Sequence, residues 1–244
     1  MQGKIIFQSK NEEGLFLFLK FNKQRKCLNF LNQHDLYQAA KLKKFRDILL
    51  KKDNLNVIDG FFVSAYLSFL NLKKVSRIRG PTLTKDFLSN PSFSRNKKHF
   101  FIGLEADSLR ILKEKFPHLK KSYCYNPPYI KDLEFPKQEI EEITKEINRV
   151  KPDYTWVGIA CPKQNILTDS LFRKTKVQYF FNVGAGIDFL LGKKKEAPKI
   201  FRNLGIEWFY RLLTDFKYSK KKVWRSFLGV CYLLARRVKV GLEE

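Results

Sequence analysis

From His99 onward, short apolar runs alternate with amphipathic stretches, and this alternation limits the fold more than any other feature of the chain. Runs at 99–102, 119–125, 154–160 and 177–183 have strand character. Stretches at 106–116, 136–149, 163–174 and 187–191 carry apolar residues at helical spacing. Strands joined by helical crossovers make a parallel sheet with helices on both faces. The reading predicts an α/β domain with a mostly parallel sheet over residues 1–215, followed by a C-terminal appendage at 216–244. Ahead of His99, runs at 5–7 and 15–21 read as a hairpin across Asn11-Glu12-Glu13-Gly14. Further strands are expected at 27–31 and 55–58, and helices at 35–51 and 61–72. Later helices are expected at 199–215 and 219–238.

In such sheets, ligands bind outside the carboxyl ends of the strands. The residues at those ends are Asp59, Gly103, Cys161 to Gln164 and Gly184 to Asp188. Asp59 is flanked by Val57, Ile58, Phe61 and Phe62. Apolar surroundings raise a carboxylate's pKa and make it a better general base, although an Asp-Gly turn explains the same residues. Pro162-Lys163-Gln164 opens a helix, where free N–H groups attract phosphate; a plain helix start is the alternative. Gly184, Gly186 and Asp188 permit close approach to a ligand but lack the full dinucleotide fingerprint, so no NAD site is expected. Cys161 has no histidine nearby in sequence and reads as packing. The four cysteines form no Cys-x-x-Cys pair and no ligand spacing with the three histidines. They predict reduced thiols and no metal site.

Charge narrows the partners. The 244 residues carry 48 Lys and Arg against 24 Asp and Glu, a net +24. That excess calls for nucleic acid, an anionic membrane or a phosphate-rich substrate. A 44% hydrophobic content excludes disorder. No apolar run of about 18 residues is free of charge, and Met1 to Lys4 start no apolar leader, so neither a membrane span nor a secretory signal is expected. The tail concentrates the charge. Eight basic residues and no acid lie between Lys217 and Lys239. Val223, Phe227, Val230 and Leu234 form an apolar stripe there, widened by Trp224, Leu228 and Cys231. That is the pattern of an interfacial helix, with Lys221, Lys222, Trp224, Arg225, Phe227 and Leu228 as candidate membrane contacts. A terminal helix packed on its own domain is the alternative.

Three segments then stand out: Trp156-Val-Gly-Ile-Ala-Cys-Pro-Lys-Gln164, Val183-Gly-Ala-Gly-Ile-Asp-Phe189 and Leu204-Gly-Ile-Glu-Trp-Phe-Tyr-Arg-Leu212. Together with Asp59-Gly60 and Arg77-Ile-Arg-Gly80, in this order, the chain resembles the WecG/TagA/CpsF family of bacterial glycosyltransferases over residues 28–234. The resemblance implies a Rossmann-like single domain with a membrane-seeking tail. It implies an inverting, metal-independent enzyme without cofactor. The sugar, an N-acetylhexosamine such as N-acetylmannosamine or its uronic acid, would move from a UDP-sugar to a polyprenyl-diphosphate-linked acceptor. Products of such enzymes feed cell-wall, capsular and exopolysaccharide synthesis, and the place of action would be the inner face of the cell membrane. A homo-oligomer is compatible with it, and nucleic acid is not an expected partner.

By carry-over, Asp59 is the base. Asn32, Arg77 and Arg211 face the acceptor and its diphosphate. Gly158, Pro162, Lys163, Gln164, Gly184, Gly186, Asp188 and Glu207 form the donor-nucleotide site. The chain departs from the pattern at Phe30 (Thr in the family), Thr82 (Asp), Asn165 (Glu), Glu196 (Arg) and Pro127-Pro128-Tyr129 (Gly-Tyr-Phe). A different sugar, a different acceptor or reduced activity would each account for these departures; because Asp59, Arg77, Gln164, Asp188 and Arg211 are retained, altered specificity is favoured over loss of catalysis. A non-catalytic scaffold of polysaccharide assembly and a basic nucleic-acid-binding protein are the rival readings.

Overall fold

The alternation after His99 becomes a regular α/β layer. The computed structural model describes residues 3–198, 200–201, 207–214 and 216–243. Strand β4 (His99–Ile102) leads to helix α7 (Ala106–Lys115), and β5 (Ser122–Tyr125) to α8 (Lys137–Val150). Strand β6 (Tyr154–Val157) leads to α9 (Lys163–Lys174), and β7 (Tyr179–Asn182) to α10 (Gly186–Leu190). The earlier part supplies β1 (Ile5–Phe7), α1 (Glu12–Phe21), β2 (Lys26–Leu31), α2 (Gln33–Lys41), α3 (Lys43–Leu49), β3 (Asn54–Ile58) and α4 (Phe61–Asn71). Two helices, α5 (Gly80–Ser89) and α6 (Pro91–Ser94), bridge to β4. The chain finishes with α11 (Glu207–Thr214), α12 (Phe216–Leu234) and β8 (Val240–Leu242).

Among the described residues the strands form one eight-stranded sheet in the order β5-β4-β6-β7-β2-β3-β1-β8. Every pairing in it is parallel. The central strands read as continuous buried runs because helices cover both faces. One face packs Leu28, Phe101, Trp156 and Phe181 under Leu83, Phe87 and Leu109. Trp156 stacks on Phe181 at 4.2 Å between centroids. The other face packs Leu31, Ile58 and Val240 under Leu36, Val63 and Leu233.

Three expectations need correction. Residues 15–21 are helical, within α1, and not the second arm of a hairpin. Asn11 caps that helix, its Oδ1 accepting from the Gly14 N–H at 2.9 Å, and Glu12 and Glu13 suit the positive N-terminus. The long helix expected at 35–51 is two helices, broken at Leu42, whose φ of −112° and ψ of 99° are extended. Residues 219–238 do not continue as helix to their end, because α12 stops at Leu234 and the chain turns into β8. That last strand pairs with β1, and α12 packs along α2, so segment 216–243 closes the sheet edge as well as covering it.

His99 illustrates how the core treats a polar group. Its Nε2–H donates to the Ser94 carbonyl at 3.2 Å, and its Nδ1 accepts from the Trp156 indole N–H at 3.1 Å. Both ring nitrogens are thus used by the neutral form. Burial holds its pKa down at about 4, against 6.5 in the open. The unfolded chain therefore binds a proton between those values while the folded chain does not, and stability falls as pH drops through that window. A shift of this size corresponds to about 3 kcal/mol. Urea melts of wild type and His99→Gln from pH 7 to 4 check it: the wild type alone shows this extra loss.

Candidate active site

The strand order marks where a ligand is expected to bind. The connection leaving β4 runs to β5 on one side, and the connection leaving β6 runs to β7 on the other. Adjacent strands whose connections diverge open a crevice at their carboxyl ends. Gly103 and Gly158 stand there. Gly103 has φ +83°, the left-handed region that favours glycine, and a Cβ on Gly158 would make ordinary contact, at 3.4–3.8 Å, with the carbonyl oxygens of Ile102, Gly184 and Gly103.

Beside it, Gln164 splints the next loop. Its Oε1 accepts from the Gly184 N–H at 3.1 Å, and its Nε2 donates to the Asn182 carbonyl at 3.3 Å. Pro162, joined to Cys161 by a cis peptide, immediately precedes the first residue of α9. The Lys163 ammonium donates to the Ile130 carbonyl and lies 5.9 Å from the Tyr129 ring centroid. Tyr129 itself is almost fully exposed. Gly186 opens α10 against Thr84. The Asp188 carboxylate pairs with Lys194 at 2.8 Å.

Asn165, one of the departures expected from sequence, belongs to a buried amide network. Asn165 and Asn182 both donate to Asn29 Oδ1, at 2.7 and 2.8 Å, and Asn29 donates onward to Asn54 and Asn56. The network fixes α9 to β2, β3 and β7.

The second half of the site gathers at the ends of β2 and β3. Asp59 and Gly60 both donate their N–H to the Leu31 carbonyl, at 3.0 and 3.3 Å. This sets Asp59 beside Asn32, the N-cap of α2, which forms a capping box with Asp35. Asp59 is half-buried, and its Oδ1 accepts from the Gly80 N–H at 3.0 Å. The enclosing protein pushes its pKa above the usual 3.8; the Gly80 N–H pulls down, the Glu207 charge pushes up, and Arg79 and Arg77 pull down. Burial and the acidic neighbour therefore act together, as a general base needs.

Arg77 and Arg79 converge on Glu207, with closest approaches of 3.5 and 3.0 Å. Glu207, expected at the donor, is thus ion-paired next to Asp59. Arg79 was not among the residues expected from sequence. The signal was present in Arg77-Ile-Arg79, which puts two cations on one side of an extended segment. Phe30, a departure from the family pattern, packs against Gly80, where an added Cβ would lie 3.3 Å from its ring.

About 14 Å of sheet separates the ends of β6 and β3, three strand spacings apart. Among the described residues no group of three or more His, Cys, Asp or Glu is arranged to hold a metal ion. The side chains of Arg211, Lys221 and Lys222, and residues 202–206 of the third motif, lie outside the described residues.

The model of the WecG/TagA/CpsF glycosyl transferase family matches residues 12–242. The chain belongs to this family, and it is a glycosyltransferase. Among its relatives are N-acetylglucosaminyldiphosphoundecaprenol N-acetyl-beta-D-mannosaminyltransferases of Staphylococcus aureus strains MRSA252 and NCTC 8325 / PS 47. Each is 29% identical, over 88% of this chain and 78% of its own. The glycosyltransferase motifs expected from sequence fall on the carboxyl edge of the sheet: the Pro-Lys-Gln segment after β6, the Gly-Ala-Gly-Ile-Asp segment after β7 and Asp-Gly after β3.

Proposed function

We propose that this glycosyltransferase moves an N-acetylhexosamine of the N-acetylmannosamine class from a UDP-sugar to a sugar on polyprenyl diphosphate. The observation that carries the reading is Asp59: a carboxylate with raised proton affinity at the carboxyl end of β3, in a chain matching the family from residue 12 to 242. The names of the relatives support the sugar and the lipid-linked acceptor. Asp59 takes the proton of the acceptor hydroxyl as its oxygen bonds to the anomeric carbon. The bond to UDP breaks on the opposite face, which inverts the centre. The departing diphosphate carries its negative charge toward Lys163 and the N-terminus of helix α9. No metal is required in this scheme.

A panel of UDP-sugars against polyprenyl-diphosphate-linked acceptors tests it. Transfer from a UDP-N-acetylhexosamine is expected. UDP binding without transfer to any acceptor would replace the reading with the scaffold one.

A lipid-linked acceptor supports a place of action at the inner face of the cell membrane. Among the described residues no helix is long and apolar enough to cross a membrane. The reading therefore assigns contact to the exposed apolar side of α12. Trp224 and Phe227 are 60% and 56% exposed and stack on each other at 5.7 Å, while Leu228 is half-buried. Arg225 is exposed beside them. Trp224→Ala/Phe227→Ala is expected to weaken binding to anionic liposomes at least about tenfold, because burial of each ring is worth more than one such factor. Unchanged sedimentation with liposomes would remove this contact.

A further inference from the structure

Arg79 precedes Gly80, the residue whose N–H holds Asp59. Its guanidinium meets groups from distant parts of the chain. Nε and Nη2 fork onto the Glu207 carboxylate at 3.2 and 3.0 Å. Nη1 lies 3.1 Å from Thr82 Oγ1 and 3.7 Å from Glu196 Oε2. Arg79 and Glu207 side chains are only 16% and 21% exposed, so the pair is poorly screened by solvent. A fork of this kind is specific to guanidinium, since an ammonium is a single point charge. Thr82 and Glu196 both meet on this one side chain.

We infer that Arg79 is a positioning residue that latches α11, through Glu207, onto the loop orienting Asp59, and that it balances the charge around that base. The latch has a second anchor. Helix α12 follows α11 and packs along α2, whose cap is Asn32 beside Asp59. Among the described residues, the Gly80 N–H, Glu207, Arg79 and Arg77 act on the Asp59 carboxyl from the elements packed against it. Loss of the Arg79 charge leaves Glu207 less neutralised, which favours the protonated base. Loss of the Glu207 charge frees both arginines to favour the carboxylate. The charge half of this inference rests on Asp59 acting as the general base.

The test uses the full chain and two readouts. In Arg79→Gln, hydrogen exchange across Glu207–Thr214 rises at least about tenfold, the scale set by loss of charge-assisted hydrogen bonds. The charge exchange Arg79→Glu/Glu207→Arg restores protection. Arg79→Lys keeps the charge but not the fork, so exchange rises while the acid limb of the kcat/KM profile stays in place. Arg79→Gln moves that limb to higher pH and Glu207→Gln moves it to lower pH. Unchanged exchange in Arg79→Gln, or shifts of the limb in the same direction for both variants, overturns the inference. Exchange is read without turnover, so it judges the latch even if Asp59→Asn remains active and the base assignment falls.

Discussion

Asp59→Asn lowers kcat/KM at least about 100-fold, the usual contribution of a positioned general base. Asparagine keeps an oxygen for the Gly80 N–H and nearly the same volume, so the loop stays in place and the loss reports chemistry. UDP affinity is expected to stay within about threefold, because the donor loops after β6 and β7 lie across the sheet from β3. Retention of more than about a tenth of the wild-type rate would remove Asp59 from its role. The pH profile carries the same information. The base acts only when ionised, so activity is lost as pH falls through its pKa. Because burial raises that pKa above 3.8, the acid limb lies at higher pH than an exposed aspartate would give.

Gly229→Val has the largest expected effect on stability. Gly229 lies in α12 where it crosses the start of α2, and a Cβ there would strike the backbone carbonyl of Gln33. Backbone cannot rotate aside as a long side chain does, so α12 must lift. Overpacking of this kind costs about 1–3 kcal/mol or more. For a chain of this size that lowers Tm by roughly 2–12 °C. Calorimetry reads it directly, and a fall below about 2 °C would mean that α12 does not seat on Gln33. Leu233, Val238 and Val240 follow on the same core face, so loosened docking also frays the β8 edge.

The α/β class was legible because its signal is local. Each strand after His99 is a short apolar run, and each helix repeats its apolar residues within a few turns. Helix α9 has the bounds read from sequence, Lys163 to Lys174. The failures also have local causes. Leu15, Phe16, Leu17 and Phe18 form an apolar run that matches a buried strand as well as a buried helix. Asn11 and two acids in the first turn decide it for the helix. Strand β8 was missed because three residues carry too little pattern, and its pairing with β1 spans nearly the whole chain.

The site divides the same way. Asp59, Pro162 to Gln164 and Gly184 to Asp188 could be found from sequence, because the end of a parallel strand is a defined place and the family motifs mark it. Their partners could not. Glu207 is 128 positions from Arg79, and no periodicity links them. Asn165 looked like a change at the active site, yet it donates to Asn29 within the buried network.

Sequence alone determined the layer architecture, the family, the edge of the sheet on which the family motifs fall and the basic apolar tail. These follow from residue type and short-range spacing. Only the tertiary structure decided that the tail completes the sheet and that Glu207 is held by Arg79 beside Asp59. Its folding also sets the proton affinity of Asp59. Those outcomes depend on which distant groups share a poorly hydrated space, and that is settled by packing.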